Sequence, residues 1–240
     1  MSNLNVKILE ATSSAFGREM TVCPVLIYDE EKAVLIDSGL PGQFEALKSE
    51  VEKYIDINKL KALVITHHDI DHVGAAREFK ELLGNDFKIY STDVEADYIS
   101  GEKTPLKLAK LIENEANLDE AGKGRLKFFK KGFDSSYVKV DETFKAGDRL
   151  PIFNEVETLD MPGHTLGHIC IYAREQKTLI TGDAVSLEDG KLIRVRDGAH
   201  YNPEQAKNSL EELRGLDIEK VLCYHGGEYV GKVDVDELKK

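Results

Sequence analysis

The segment ITHHDIDHVGA, residues 65–75, restricts the possible folds of this chain more than any other stretch of the sequence. Three histidines and two aspartates fall within six positions, directly after the apolar run KALVIT. Charged side chains avoid protein interiors unless something pairs them. A cluster of this kind at the end of a buried strand therefore predicts either a solvated acidic turn or a bound cation.

Hydrophobic periodicity elsewhere predicts strands that alternate with helices. The β-like runs are MTVCPVLIYDE, AVLIDSG, FKIYST, VETLDMPG, HICIYA, KTLITGD and KVLCYH, and QFEALKSEVEKYI and GAAREFKELLG have helical spacing. A further helix is expected near Asn202 and Pro203, since proline is favoured at the first helical position. Residues 93–141 interrupt the alternation with a helical stripe and the segment LKFFKKGF, which predicts a helical insert. We expect one layered α/β domain over residues 1–240.

Further histidines and aspartates follow other predicted strands. His164 comes after MPG, Asp183 after TLITG, and His225 after KVLCY. In layered α/β domains the strand ends form the crevice in which ligands bind. Seven side chains supply three or four donors to each of two divalent cations, with one carboxylate left to bridge. The candidate metal ligands are His67, Asp69, Asp71, His72, His164, Asp183 and His225.

Charge and cysteine content limit the partners and the compartment. The formal net charge of −12 argues against a nucleic-acid partner, which normally requires a basic surface. No apolar run approaches the ~20 residues needed to cross a bilayer, and the first residues lack a signal-peptide pattern. Cys23, Cys170 and Cys223 form an odd, separated set in β-like runs, which predicts reduced, buried thiols. We therefore expect a small-molecule substrate, no membrane association and a cytoplasmic location.

An ordered set of motifs resembles a known family. VLIDSG, THHDIDHVGA, DMPGHTLGH, TGD and CYHGG follow one another along the chain, and this order is similar to that of the metallo-β-lactamase superfamily of metal-dependent hydrolases. The resemblance covers about residues 5–228. It implies a four-layer αββα sandwich with a dinuclear metal centre at one edge of two facing sheets.

The resemblance also implies how the ligands divide between the two metal sites. One site is implied for His67, position 69, His164 and Asp183. The other is implied for Asp71, His72, His225 and the bridging Asp183.

The chain departs from the family pattern at Asp69. The family's usual form is His-x-His-x-Asp-His, whereas this chain has Asp at the second histidine position. We expect Asp69 to bind the first metal as a carboxylate; the alternative is that it points to water and the first metal is lost. His68 is a less suitable replacement, because on an extended chain it faces away from His67.

A carboxylate ligand changes the charge of the expected centre. Two divalent ions and three carboxylates leave +1, and a bridging hydroxide brings the total to zero. A less positive centre acidifies its bound water less and favours manganese or iron over zinc.

Several neighbouring residues have expected supporting roles. Asp37 is expected to orient a metal ligand by hydrogen bonding without binding metal, a plain turn aspartate being the alternative. Thr165 is expected to hydrogen-bond close to His164, and His168 to be a satisfied core histidine.

Candidate substrate-binding residues follow Asp183. They are Ser186, His200 and Tyr201, with simple surface exposure as the alternative for the last two. Lactonases of the family carry a tyrosine three residues after the bridging aspartate, so Ser186 at that position weakens a lactonase assignment.

The leading hypothesis is a metal-dependent hydrolase acting on an ester, thioester or lactone. In that mechanism a bridging hydroxide attacks the carbonyl, and Asp71 orients or deprotonates the water. One alternative is an iron-dependent oxygen-handling oxidoreductase, since superfamily members that handle oxygen carry a carboxylate at position 69. Another is a metal-binding sensor or scaffold without enzymatic activity. A glutathione thioesterase of the glyoxalase type is disfavoured, because such enzymes carry a C-terminal helical extension and only fifteen residues follow His225.

Overall fold

Strands and helices alternate along residues 4–15 and 18–240, which a computed structural model describes. Residues 1–3 and 16–17 of the predicted domain lie outside the described residues. The strands are β1 (Asn5–Ile8), β2 (Ala11–Ala15), β3 (Arg18–Val22), β4 (Val25–Tyr28), β5 (Ala33–Ile36), β6 (Leu60–Val64), β7 (Lys88–Thr92), β8 (Glu142–Phe144), β9 (Val156–Asp160), β10 (Ile169–Ala173), β11 (Thr178–Ile180), β12 (Val185–Glu188), β13 (Lys191–Arg194), β14 (Lys220–Cys223) and β15 (Gly227–Val230). The α-helices are α1 (Phe44–Glu52), α2 (Ile70–Val73), α3 (Ala76–Leu83), α4 (Asp93–Ser100), α5 (Leu106–Glu113), α6 (Glu120–Ser136), α7 (Pro203–Ser209) and α8 (Val235–Leu238).

Two sheets carry the architecture. The first has the order β1-β4-β5-β6-β7-β8, in which β5 to β8 run parallel and β4 is antiparallel to both of its neighbours. The second has the order β15-β14-β11-β10-β9, with β11 and β14 parallel and the other pairs antiparallel. The pairs β2-β3 and β12-β13 form separate antiparallel ribbons. Because β6, β9, β11 and β14 end at one edge, the loops that follow them meet there.

Apolar side chains separate the structure into four layers. Alternate residues of one strand face opposite ways, so that Ile27 and Val34 pack toward the second sheet while Leu26 and Leu35 pack against helices. The outer face of the second sheet, which includes Tyr172, packs against the segments around α7 and α8. The predicted αββα sandwich is therefore confirmed.

The first predicted β-run, MTVCPVLIYDE, is divided into two strands. β3 ends at Val22 and β4 begins at Val25. Pro24 has no backbone N–H for a sheet ladder, and its carbonyl accepts a hydrogen bond from Leu9 N at 2.8 Å. The Cys23 N–H donates to Tyr224 O at 2.9 Å, which ties this break to the second sheet.

Residues 93–141 are mostly helical, as predicted, and belong to the core. α4, α5 and α6 contribute Ile99, Leu108, Leu126 and Phe133 to the buried cluster on the outer face of the first sheet. Within residues 4–15 and 18–240, none of the helices has the length and apolar character required to traverse a lipid bilayer.

Candidate metal centre

The candidate ligands lie in loops that follow the carboxyl ends of strands. Residues 67–72 follow β6 and include most of the short helix α2, whereas His164, Asp183 and His225 follow β9, β11 and β14. The convergence of strand ends therefore brings together side chains that are more than 150 residues apart in sequence.

Glycines allow two of these turns. Gly163 has a φ of 127°, and a Cβ there would lie 2.1 Å from the backbone nitrogen of Ala206. Gly182 has a φ of 48°, and a Cβ there would lie 2.6 Å from Nε2 of His168. Only glycine fits such positions without strain, so each turn places the next residue, a candidate ligand, at the edge.

The first group of candidate ligands is buried. One ligand atom from each member lies within 4.8 Å of the others. Asp69 Oδ2 is 3.3 Å from His67 Nε2 and 2.9 Å from His164 Nε2. Two imidazole nitrogens and two carboxylates form a donor set that suits a divalent transition metal. The group consists of His67, Asp69, His164 and Asp183.

The second group lies beside the first and consists of Asp71, His72 and His225. Asp71 Oδ2 is 3.3 Å from His225 Nε2. The ring of Tyr224 stacks on His72 with centroids 3.8 Å apart, and its hydroxyl donates to the Asp71 carbonyl. The sequence analysis did not identify Tyr224; its position next to His225 was the only signal.

Asp183 faces both groups with different oxygens. Its Oδ1 lies 3.2 Å from His72 Nε2 and 3.3 Å from His225 Nε2. Its Oδ2 lies 3.3 Å from His164 Nε2. A carboxylate in this position can serve two cations at once.

Asp37 fixes the orientation of the two histidines that follow β6. Its Oδ2 accepts hydrogen bonds from His72 Nδ1 and from Thr66 Oγ1, both at 2.8 Å. Because the Thr66 hydroxyl donates to Asp37, its oxygen accepts from His67 Nδ1 at 3.0 Å. Both rings therefore direct Nε2 toward the candidate ligand groups.

His200 has a corresponding effect on His164. Its Nε2 lies 2.7 Å from the Val195 carbonyl, an acceptor, so Nε2 carries the proton and Nδ1 accepts. His164 Nδ1 lies 3.2 Å from that atom and donates to it, which leaves the lone pair of His164 Nε2 facing the first group. His200 thus supports a candidate ligand, a contact that the sequence analysis did not foresee.

His168 is a satisfied buried histidine, in agreement with the sequence prediction. Its Nδ1 donates to the Met161 carbonyl at 3.1 Å, and its Nε2 accepts from the Asp183 N–H at 2.9 Å. It holds the backbone of Asp183 in place.

Buried atoms without hydrogen-bond partners test whether these residues fit metal ions. Within the described part of the chain, four buried side-chain polar atoms lack a hydrogen-bond partner, and three belong to candidate ligands. They are His67 Nε2, His72 Nε2 and Asp183 Oδ1. Buried polar atoms normally have partners, so unpaired polar atoms that converge on one place fit a divalent cation.

Burial and neighbouring charges shift the pKa values of several candidate ligands. Burial opposes charge on His225 and His72, but Asp183 raises the pKa of His225 to about 10, and Asp37 with Asp183 raises that of His72 well above its usual range. Burial would raise the pKa of Asp183, yet these histidines hold it well below its ordinary value. Burial and the nearby Lys107 lower the pKa of His164 to about 4, so its ring stays neutral.

Asp69 is not a solvated turn residue in this structure. Its side chain is buried, and its carboxylate contacts the ammonium of Lys107, which is on α5 of the insert. Burial would raise the pKa of Asp69, but Lys107 holds it well below its ordinary value. Lys107 Nζ also lies 3.2 Å from His164 Nε2. Nothing in the segment PLKLAKLI distinguishes Lys107 from the neighbouring Lys110, so the sequence analysis missed it.

Glu95 on α4 connects two ligand-bearing loops. Its Oε2 accepts from the His68 backbone N–H at 3.0 Å and contacts His68 Nδ1. Its Oε1 accepts from Thr165 Oγ1 at 2.8 Å and from the Gly167 N–H at 2.7 Å. His68 therefore faces away from the ligand groups, as predicted, and Thr165 acts through Glu95. A lone glutamate in a helix gave no sequence signal for this role.

The two remaining candidate substrate-binding residues, Ser186 and Tyr201, lie in different surroundings. Ser186 is buried in β12, opposite Ile193. Tyr201 is 60% exposed, and its N–H donates to the His164 carbonyl at 3.1 Å. A substrate-binding role for either residue stays a prediction.

Comparison with known proteins identifies relatives. The sequence profile of the metallo-β-lactamase superfamily matches residues 22–225. A probable metallo-hydrolase of Bacillus subtilis (strain 168) is 29% identical over 217 residues, which cover 83% of this chain and 77% of that protein. A hydroxyacylglutathione hydrolase of Haemophilus influenzae is 32% identical over 182 residues, covering 76% of this chain and 72% of that protein.

A solved structure shows the same fold. A metallo-β-lactamase family protein from Thermus thermophilus superimposes with a TM-score of 0.72 at 21% identity, covering 98% of this chain and 78% of that one. Among the sequence relatives, a hydroxyacylglutathione hydrolase from Pelagibacter ubique is 30% identical over 186 residues. It is longer than this chain, and the match covers 57% of its length.

Proposed function

The chain belongs to the metallo-β-lactamase superfamily and is a metallo-hydrolase, and from this premise we propose that it hydrolyses a small-molecule thioester, ester or lactone at a dinuclear metal centre. The observation that carries the proposal is the position of Asp183, whose two oxygens face different groups of candidate ligands. The thioester comes first, because a relative 32% identical to this chain is named a hydroxyacylglutathione hydrolase. That relative also weakens the expectation that a glutathione thioesterase is disfavoured, which rested on the short segment after His225.

The two groups of side chains would each hold one divalent cation. His67, Asp69 and His164 would hold the first, and Asp71, His72 and His225 would hold the second, with Asp183 shared. When bound, the cations supply Lewis acidity to the scissile carbonyl and lower the pKa of the attacking water.

The chain's own residues would orient the reactants and move the proton. Asp71, a candidate ligand whose carboxylate lies at the edge of the second group, would orient the attacking water and take its proton. Burial raises and His225 lowers the pKa of Asp71, with a net shift below the ordinary value. The carboxylate is therefore ionised at neutral pH and can accept a hydrogen bond from the attacking water. Asp37 would keep the ring of His72 fixed throughout.

Asp69 supports a preference for manganese or iron over zinc, because it replaces an imidazole with a harder carboxylate donor. The same residue supports one second candidate, an iron-dependent reaction with oxygen. Three buried free thiols support a cytoplasmic location.

A substrate panel with metal-replete protein tests this proposal. The protein should hydrolyse at least one of a thioester, an ester and a lactone series, and Asp71→Asn should lower kcat by about 100-fold or more. Asp86→Asn, at an exposed position, serves as the matched control. Oxygen consumption by the iron-loaded protein, without hydrolysis of any class, would favour the second candidate instead.

A further inference from the structure

Lys107 brings a positive charge from the helical insert into the first group of candidate ligands. Its ammonium contacts the Asp69 carboxylate and lies 3.2 Å from His164 Nε2. The Lys107 side chain is 38% exposed, so its stem extends from the buried group to solvent. Lys107 therefore lies where the first group meets solvent, and this position would serve a substrate as the opening of the site.

The ammonium and a bound cation would use the same atoms. Asp69 Oδ2 and His164 Nε2 contact Lys107 here, and both belong to the group that would hold the first cation. Because like charges repel, the ammonium has to leave these atoms when a cation is held there. An ammonium on a flexible four-carbon stem can make that movement without a change in the backbone.

The base of the Lys107 side chain stays beside the centre during this movement. α5 is fixed by Leu108, which is buried in the core, and by the Leu106 N–H, which lies 3.3 Å from His68 Nε2. The displaced ammonium consequently remains at the opening of the site.

Charge then decides what the ammonium can bind. With three carboxylates and a hydroxide, two divalent cations would have no net charge, so the centre itself would attract an anionic substrate only weakly. Lys107 restores one positive charge and carries it on a side chain that reaches the opening. A carboxylate is a suitable partner for that ammonium, because a charge-assisted hydrogen bond is stronger than a neutral one.

We propose that Lys107 is a substrate-binding residue that selects acyl compounds carrying a carboxylate close to the scissile carbonyl. This proposal rests on the proposed hydrolase function and specifies its substrate class. Asp69 and Lys107 then have opposite effects on charge. Asp69 lowers the charge of the metal centre by one unit, and the Lys107 ammonium supplies one positive charge that binds the substrate carboxylate.

Equilibrium binding tests the proposal independently of hydrolysis. Calorimetry at fixed ionic strength should show that metal-replete protein binds succinamate, which has one carboxylate, more tightly than the neutral succinamide. Lys107→Met should weaken succinamate binding about tenfold or more, and Lys107→Arg should retain most of it. Lys110→Met, on the exposed side of the same helix, should bind succinamate as the unchanged protein does. Equal binding by Lys107→Met and the unchanged protein, or no binding of succinamate by the unchanged protein, would overturn the proposal.

Kinetics and metal content complete the test. The ratio of kcat/KM for a succinyl thioester over that for a butyryl thioester should fall about tenfold or more in Lys107→Met. Elemental analysis should show at least as much bound metal in this variant as in the unchanged protein. A loss of metal would show that Lys107 only supports the ligands, and would also overturn the proposal. Absence of hydrolysis of both thioesters would contradict the proposed function, while the succinamate measurement would still decide the role of Lys107.

Discussion

Asp37 and His72 are joined by a buried hydrogen bond of 2.8 Å between Oδ2 and Nδ1. This bond fixes the ring so that His72 Nε2 faces Asp183 at 3.2 Å. Asp37 adopts a φ of 62°, a conformation that is uncommon for a residue other than glycine. The strained backbone at the end of β5 therefore places a carboxylate that orients a candidate ligand.

Asp37→Asn is expected to weaken metal binding at the second group about 10- to 100-fold. The two oxygens of Asp37 accept from three donors, namely Thr66 N, Thr66 Oγ1 and His72 Nδ1. An amide would turn its NH₂ toward one of them and lose that bond. Competition with a chromophoric chelator measures the change, and the exposed Asp86→Asn is the control. Equal affinities in the two variants would show that Asp37 does not orient a ligand.

Metal binding is expected to release protons near pH 8. In the metal-free protein the raised pKa of His225, about 10, keeps the ring charged at that pH, whereas a metal needs its lone pair. The apparent affinity of the second group should therefore rise with pH until about pH 10. Calorimetry in buffers of different ionisation enthalpy measures the protons released, and His225→Ala should release fewer. Binding without proton release would contradict the charged state of His225.

The sequence identified the candidate ligands that the fold brings together better than the residues that contact them. His164, Asp183 and His225 were identifiable because polar ligands at the ends of apolar runs are unusual and physically constrained. Glu95 and Lys107 have no such pattern, since a glutamate or lysine in a helix is most often a surface residue. Their roles depend on where α4 and α5 pack, which local periodicity does not determine.

The position of the insert was likewise only partly predictable. Its helical pattern was visible in the sequence, but its contribution of Leu126 and Phe133 to the core was not. Deleting residues 93–141 would expose that cluster, so point substitutions are the suitable probes of this segment. The break at Pro24 was overlooked for a related reason, because the hydrophobic pattern continues across it.

Asp69→His is expected to shift metal preference toward zinc, provided that Lys107→Met is also present. The double substitution restores an imidazole donor and avoids leaving the Lys107 ammonium without its carboxylate partner. Relative to Lys107→Met alone, the charge at position 69 rises by one unit, so bound water should ionise at lower pH in the double variant than in Lys107→Met. Zinc–manganese competition and a pH–rate profile measure both effects. An unchanged metal preference would indicate that Asp69 does not contact the first metal.

Glu95→Ala is expected to lower the free energy of unfolding by about 3–5 kcal/mol, because it leaves His68 and two other donors buried without a partner. Urea denaturation measures the loss. Glu102→Ala, at an exposed position close in sequence, should change stability by less than about 0.5 kcal/mol. A similar small change in both variants would mean that Glu95 does not hold the two loops together.

The metal-to-protein ratio, measured by elemental analysis after metal-replete expression and desalting, tests the dinuclear centre most directly. The geometry of Asp183 predicts close to two transition-metal ions per chain, about one in His225→Ala and fewer than one in Asp183→Ala, since only Asp183 faces both groups. A ratio of one or less in the unchanged protein, or equal losses in the two variants, would contradict the account.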